Sequence, residues 1–451
     1  MEPFMNRSSL DERAVARRPP QVFASAAWHS LLWLVIANAI GVMLAVLLLI
    51  PRLNNPLGEW TYGRWIIVHM NLELYGWTAL PLLGFLFAIY GADHRAAAKW
   101  CRPVLWAWSV ALGVGAFSWL SGQSSGKLFL DWSGYARVLF PAAMIALWVL
   151  LLAALIARGG RRKPEFALRM VAKIIGLAIL LAVPFLVYAA AGPGNYPAVN
   201  PDTGGPTGTS QLESSLAVVA ILLMLPFGLT RRQPGHVKAV SIAWGMLFAE
   251  ILLCVVMSRG DISHHLPAQY LSLGSLLVWL PLTPAYYAAF QWNSNTRRWR
   301  LAFLWWWAAL VITGWVFFLP GVLDHFKFTD GLVGHSFVAM AGFTSSLIIF
   351  VMVQLLGEGG WIFNRSRSFY LWHGSVIAYI VVVSIAGWRE GSDPSFTIIP
   401  GLARNVLYTL RLITGILMLV ASVDWFLDAS TLLIEPALAS PNPQVLEEKT
   451  A

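Results

Sequence analysis

The apolar residues of this chain fall into long runs separated by short stretches bearing charges, glycine or proline. Twelve runs stand out, at about 26–50, 64–90, 103–121, 136–157, 171–191, 210–229, 238–258, 267–290, 301–319, 332–356, 369–387 and 405–426. Each is long enough, at roughly 20 residues, for an α-helix to cross about 30 Å of hydrocarbon. The pattern predicts an all-α polytopic membrane protein of about twelve transmembrane helices, with no soluble domain and no internal repeat. The expected division is a cytoplasmic segment over 1–25, a membrane domain over 26–427, and a polar, disordered tail over 428–451. The run from Ala26 to Ile50 is too long for a signal-peptide core and lacks a small-residue cleavage site, so it reads as a retained first helix.

Composition agrees. The chain is 58% hydrophobic and only 12% charged, too apolar for ordinary soluble domains of its length. Its 23 tryptophans suit a bilayer, whose interfaces favour indole rings. Cys101 falls in a basic loop and Cys254 in mid-helix, which argues against a disulfide. No Cys-x-x-Cys-His occurs, so a covalently attached c-type haem is not expected.

The net charge of +9 would raise the question of nucleic acid, but the distribution of the basic residues answers it. With the N-terminus inside, twenty-two of the 31 Lys and Arg lie in inner segments, among them Arg95, Lys99, Arg102, Arg161, Arg162, Arg231, Arg232, Arg297 and Arg298. Eight lie at the outer connections, and Arg411 sits within the twelfth helix. That bias predicts a cytoplasmic N-terminus in a bacterial-type inner membrane, with loops anchored by charge and no nucleic-acid role.

The topology sorts the histidines by depth. His69 lies one turn into helix 2, His264 and His265 follow helix 7, and His335 opens helix 10, so all four are expected near the outer leaflet. His29 and His373 lie toward the inner side, His94 and His236 in inner loops, and His325 in the outer loop before helix 10. Neutral imidazole ligates iron and copper well, and ionisable residues within a membrane are costly. One such histidine can simply hydrogen-bond a neighbouring helix; four at one depth point to a haem or metal site.

Local sequence sharpens this. Val68–Trp77 reads V-H-M-N-L-E-L-Y-G-W, Ser263–Pro281 reads S-H-H-L-P-A-Q-Y-L-S-L-G-S-L-L-V-W-L-P, and Phe328–Phe343 reads F-T-D-G-L-V-G-H-S-F-V-A-M-A-G-F. In order and helix number these resemble helix 2, the segment after helix 7, and helix 10 of haem-copper oxidase subunit I, in the branch of cbb-type cytochrome c oxidases and nitric oxide reductases. The resemblance implies His69 as a low-spin haem ligand, His264 and His265 as ligands of copper or non-haem iron, and His335 as the ligand of a high-spin haem. The chain departs from the family at three places. Phe337 replaces the second histidine of the helix 10 motif, which excludes a bis-histidine haem through His69. The stretch Gly205–Gln211 offers hydroxyls and an amide where helix 6 supplies a third metal histidine. Ser258 stands where the oxidases of this branch carry a tyrosine, a loss that favours a reductase-like site.

By the resemblance, Glu213 and Glu250 are candidate proton-carrying carboxylates. Arg404 and Arg411 are candidates to pair haem propionates, although Arg404 can equally snorkel to headgroups and the glutamates can serve as interhelical hydrogen bonders. The outer loop 200–206 is rich in turn formers and is expected to cap helix 6, with a second possible position over the metal pocket. The implied protein binds one or two b-type haems and copper or non-haem iron. It reduces oxygen or nitric oxide with electrons from a partner cytochrome c subunit. Two rivals remain: a non-enzymatic haem- or metal-binding protein of the same fold, and a cofactor-free transporter. The transporter would show helices broken near the midplane and an internal repeat, neither of which is visible in the sequence.

Overall fold

The computed structural model describes residues 21–438, apart from Leu128, 160–166, 193, 197–198, 200, 203, 206, 258–259 and 261. In order, the runs become α1 (Gln21–Leu49), α2 (Tyr62–Tyr90), α3 (Arg95–Leu120), α4 (Ala136–Gly159), α5 (Ala167–Ala190), α6 (Gly208–Leu229) and α7 (Val237–Val256). The eighth run is broken into Pro267–Gly274, a 3-10 turn over Ser275–Val278, and Trp279–Ala288, together α8. Then follow α9 (Arg297–Phe317), α10 (330–356), α11 (Ser366–Ser392) and α12 (Leu402–Leu438). Eleven helices among the described residues are long and apolar enough to cross a membrane, and the broken α8 supplies the twelfth run.

The break in α8 is an interruption that the run pattern concealed. Pro281 has no N–H, so the carbonyl of Leu277 loses its helical partner and the turn before it tightens. Two further differences lie at the ends. α1 begins at Gln21, with Val22, Phe23 and Ala24 buried, inside the segment expected to be extramembranous. α12 runs past the expected end to Leu438, because the stretch after Asp428 still packs. Asp428 pairs with Arg365 at 3.0 Å, Trp28 Nε1 donates to Ser430 Oγ at 3.1 Å, and Leu432 is buried. The rest of the expected tail, 439–451, and residues 1–20 lie outside the described residues.

α2 and α10 are the most enclosed spans, 56% and 67% of their apolar windows being buried against 11% for α5. They touch, and both pack against α1. Each contains a seven-residue π-helical stretch, Leu72–Thr78 in α2 and Val338–Thr344 in α10. A π stretch disturbs the regular pairing of carbonyls, and an unpaired carbonyl in hydrocarbon is expensive. Neighbouring side chains supply donors. Trp108 Nε1 donates to Tyr75 O and Ser30 Oγ to Trp77 O, both at 2.8 Å, and Trp372 Nε1 donates to Ala341 O at 3.0 Å. Trp77 Nε1 crosses from one π stretch to the other helix, donating to Ser345 Oγ at 2.8 Å. Glycine is required at both stretches, since a Cβ on Gly76 would fall 2.5 Å from Trp33 Cβ and one on Gly342 would fall 2.5 Å from Trp306.

The tryptophans therefore do more than line interfaces. Trp77, Trp119, Trp132, Trp279, Trp299 and Trp425 are fully buried. Several pin one helix to another through the indole N–H, as Trp299 does to Phe363 O at 3.0 Å.

Candidate functional site

At the end of the bundle expected to face outward, the connections lean on one another. Lys127 of the α3–α4 connection donates to Ala190 O at 2.7 Å and also to the carbonyls of Gly192 and Asn195. His264 and His265, between α7 and α8, meet Asp202 from the α5–α6 connection and Asp324 from the five-residue helix Val322–Phe326. Asp202 Oδ2 lies 3.3 Å from His264 Nδ1 and 3.4 Å from His265 Nδ1. Asp324 Oδ1 lies 3.1 Å from His264 Nε2, and its Oδ2 lies 3.1 Å from His265 Nε2. The two imidazoles overlap at 4.0 Å between centroids. The His264 ring is fully buried, and neither of its nitrogens has a contact with hydrogen-bond geometry. Ser263 Oγ lies within reach of Asp202 Oδ2 and 3.2 Å from His265 Nδ1, and it accepts from the His265 backbone N–H at 3.2 Å.

Both carboxyls sit below the usual range. For Asp202 the Ser263 hydroxyl is the main cause, with the two histidines adding to it. For Asp324 desolvation pushes upward, but His265, the Gly321 N–H and His264 together outweigh it. Four groups thus converge where sequence named two. Asp202 brings the α5–α6 connection to the histidine pair. Asp324 went unnoticed, although its connection is assigned to the same outer end as Asp202 and the histidines. Ser258 and positions 200, 203 and 206 lie outside the described residues.

The segment nearest to the family's third metal histidine, which has no imidazole, is used structurally at Thr207–Thr209. Thr207 Oγ1 caps α6 by accepting from Ser210 N at 3.2 Å, and Thr209 N donates to Gln269 Oε1 at 3.1 Å. There is no room for more, since a Cβ on Gly208 would fall 2.2 Å from Gln269 O.

His335 faces α9. Its Nδ1 is 3.1 Å from Thr313 Oγ1, and that hydroxyl donates to Ala309 O at 2.7 Å. Its one proton being spent, Thr313 accepts from Nδ1–H, so the lone pair of the neutral ring lies on Nε2. His69 behaves alike. Its Nδ1 is 2.8 Å from Ala37 O, which can only accept, so Nε2 again carries the lone pair. Gly41 lies beside this ring, where a Cβ would come within 3.0 Å of Cε1. His373 is the opposite case. Trp306 Nε1 donates to its Nδ1 at 3.1 Å, so its proton sits on Nε2 and no ligand lone pair is free. Among the described residues, the group of three or more titratable ligands whose donor atoms come within 4.8 Å of one another is Asp202, His264 and His265, and it includes neither His335 nor His69.

Phe337 stacks on Tyr379 of α11, centroids 3.9 Å apart. Arg411 is buried and pairs with Asp330 at the start of α10, donating at 2.9 and 3.0 Å. Arg404 donates to Thr397 O at 2.8 Å and to Leu48 O at 2.9 Å. Both arginines, with Asp330, Glu390, Tyr62 and Tyr408, line an open cavity of about 420 Å³. Glu250 is buried, accepts from Trp279 Nε1 beside the break in α8, and leaves Oε1 without a partner. Glu213 lies on an exposed helix face, away from such enclosure.

No family model and no curated protein matches this sequence. A solved structure does match. The chain superposes on a heme-copper terminal oxidase, seen as a dimer by cryo-electron microscopy, with a TM-score of 0.56 at 11% identity. The match spans 91% of this chain and 84% of that one.

The fold is like that of a haem-copper oxidase subunit.

Heme-copper oxidases are named for haem and copper, and the donors present in this chain fit such groups unevenly. His335 fits a haem ligand: its Nδ1 is anchored by Thr313, and Nε2 presents a lone pair. His69 has the same chemistry, but the position facing it from α10 is Phe337, so a bis-histidine haem does not fit. The histidine pair fits a metal, in the company of two carboxylates rather than a third imidazole.

Proposed function

We propose that this chain is the membrane subunit of a haem-copper-type oxidoreductase, binding a b-type haem through His335. It reduces oxygen or nitric oxide with electrons from a partner cytochrome c subunit. The observation that carries the reading is the anchored His335 tautomer on an oxidase-like fold, which leaves the ring's lone pair on Nε2. Bound haem would supply the electron-accepting centre to which oxygen or nitric oxide binds. The chain's own residues hold and protect that site. Thr313 fixes the His335 ring, and Gly314 of α9 stays clear of it, a Cβ there being 3.4 Å from His335 Cε1. Of the two candidate proton carriers, Glu250 suits the role better, because it is buried with one oxygen unpaired while Glu213 is exposed. In this reading His264 and His265 hold the second metal, copper or non-haem iron. His69 is a half-site without a haem, and Arg404 and Arg411, which line the open cavity, are the candidate propionate partners.

A second reading has support of its own. Phe337 packed on Tyr379 and Arg411 paired to Asp330 fill the α10 half of the second haem site with side chains. They favour a non-enzymatic haem- or metal-binding protein on the same fold. Oxygen and nitric oxide consumption by the purified protein, driven by reduced cytochrome c, separates the two. The first reading expects consumption that His335→Ala abolishes. Haem retained at stoichiometric level with no consumption of either gas would leave the second.

A further inference from the structure

We propose that Asp202, His264 and His265 form a three-ligand site for a divalent first-row cation, oriented by Asp324 and open to the outer aqueous phase. The proposal deepens the reading above at its second metal and rests on that reading only for the identity of the pair as metal ligands.

The histidine pair has fewer protons than it has carboxylate contacts. Four imidazole–carboxylate contacts of 3.1–3.4 Å are present, but two neutral rings bring only two N–H groups. Asp324 offers a separate oxygen to the Nε2 of each ring, at 3.1 Å in both cases. With protons on the two Nε2 atoms, each beside its own Asp324 oxygen, both lone pairs lie on Nδ1. Both Nδ1 atoms then face the same oxygen, Asp202 Oδ2, at 3.3 and 3.4 Å. Three electron-rich atoms so placed repel unless a further proton or a metal cation lies between them, and a cation satisfies all three at once. The Ser263 hydroxyl brings a single proton, which Asp202 Oδ2 and His265 Nδ1 would have to share. The buried His264 ring, with no hydrogen bond at either nitrogen, points into this gap.

The spacing fits a metal. Bonds of about 2.0–2.1 Å at tetrahedral angles separate donor atoms by about 3.3 Å, close to the distances from Asp202 Oδ2 to the two Nδ1 atoms. A carboxylate on the far nitrogen of each ligating histidine is the usual way to fix its tautomer, which is the place Asp324 occupies. Gly321 N–H steadies Asp324 Oδ2 at 3.1 Å. Two imidazoles and one carboxylate leave positions open for water or substrate, the donor set associated with non-haem Fe(II) and also taken by Zn(II). No sulfur is among the donors, which disfavours monovalent copper. The His265 side chain is 51% exposed and that of Asp202 32%, so the ion can exchange with water outside the bundle.

The test uses the full chain in detergent, stripped with chelator and titrated with Co2+ and, separately, Zn2+. One equivalent of Co2+ should bind with visible d–d bands, and Zn2+ should displace it. Asp202→Asn should weaken binding by more than about 100-fold, and Asp324→Asn by about 10–100-fold, as expected for an orienting partner. His264→Ala should abolish the bands. If that variant fails to accumulate, the Asp202→Asn titration carries the test. Haem content measured on the same samples should not change. Less than a tenth of an equivalent of bound Co2+ would overturn the site, as would stoichiometric binding that survives Asp202→Asn. Either result with haem still bound leaves the haem assignment standing, whereas metal bound without haem would sink that assignment and keep this one.

Discussion

The ring of Phe337 lies on the ring of Tyr379, centroids 3.9 Å apart and planes 19° from parallel. Phe337 stands where the resemblance places a haem-ligating histidine, so this stack is what fills the position instead. Offset aromatic pairs contribute about 0.5–1.5 kcal/mol beyond their burial. Here the stack joins α10 to α11 beside Arg411, whose guanidinium lies 5.6 Å from the Tyr379 ring centre.

Phe337→His tests whether one ligand separates this chain from a two-haem form. His69 keeps its Nε2 lone pair, so the variant should gain a six-coordinate low-spin b-haem signal. The signal should vanish when His69→Ala is added. A wild-type protein that already shows a bis-histidine spectrum would mean that another histidine, His325 being the nearest candidate in sequence, supplies the second bond.

Arg411 and Asp330 form a buried pair whose side chains are 10% and 13% exposed. Removing one partner of such a pair typically costs about 3–5 kcal/mol, because the other charge is left buried. Arg411→Met should therefore lower unfolding stability in micelles by that order, and adding Asp330→Leu should recover most of the loss. Equal stability of Arg411→Met and wild type would show that the pair is not a structural tie, and would free Arg411 for another role.

The charge distribution predicts which side each end faces. Reporter fusions at Gly160 and Gly205 should fall on opposite sides, the first cytoplasmic. Both reporting from one side would undo the inside–outside assignment on which the expected depth of His69, His264, His265 and His335 rests.

Much of this architecture was legible because a membrane imposes it. Runs of apolar residues must become helices, and each observed helix lies in register with its run. What the runs could not show were features set by single residues or by partners distant in sequence. Pro281 breaks α8 without breaking the apolar run. Leu432 and Ser430 extend α12 through contacts with the bundle, although the segment reads as a polar tail. The π stretches after His69 and His335 depend on donors such as Trp108 and Trp372 from other helices. At the candidate metal site the adjacent histidines were conspicuous. Their acidic partners were not, because Asp202 and Asp324 are ordinary loop aspartates until the fold brings three connections together.

The central claim is that His335 holds a haem. The most direct measurement is the haem-to-protein ratio of the purified chain and of His335→Ala, by reduced-minus-oxidised spectra and extracted haem. The account predicts at least one b-type haem per wild-type chain and its loss, or near loss, in a variant that still inserts into the membrane. Unchanged haem content in His335→Ala, or no haem in the wild type, would contradict it.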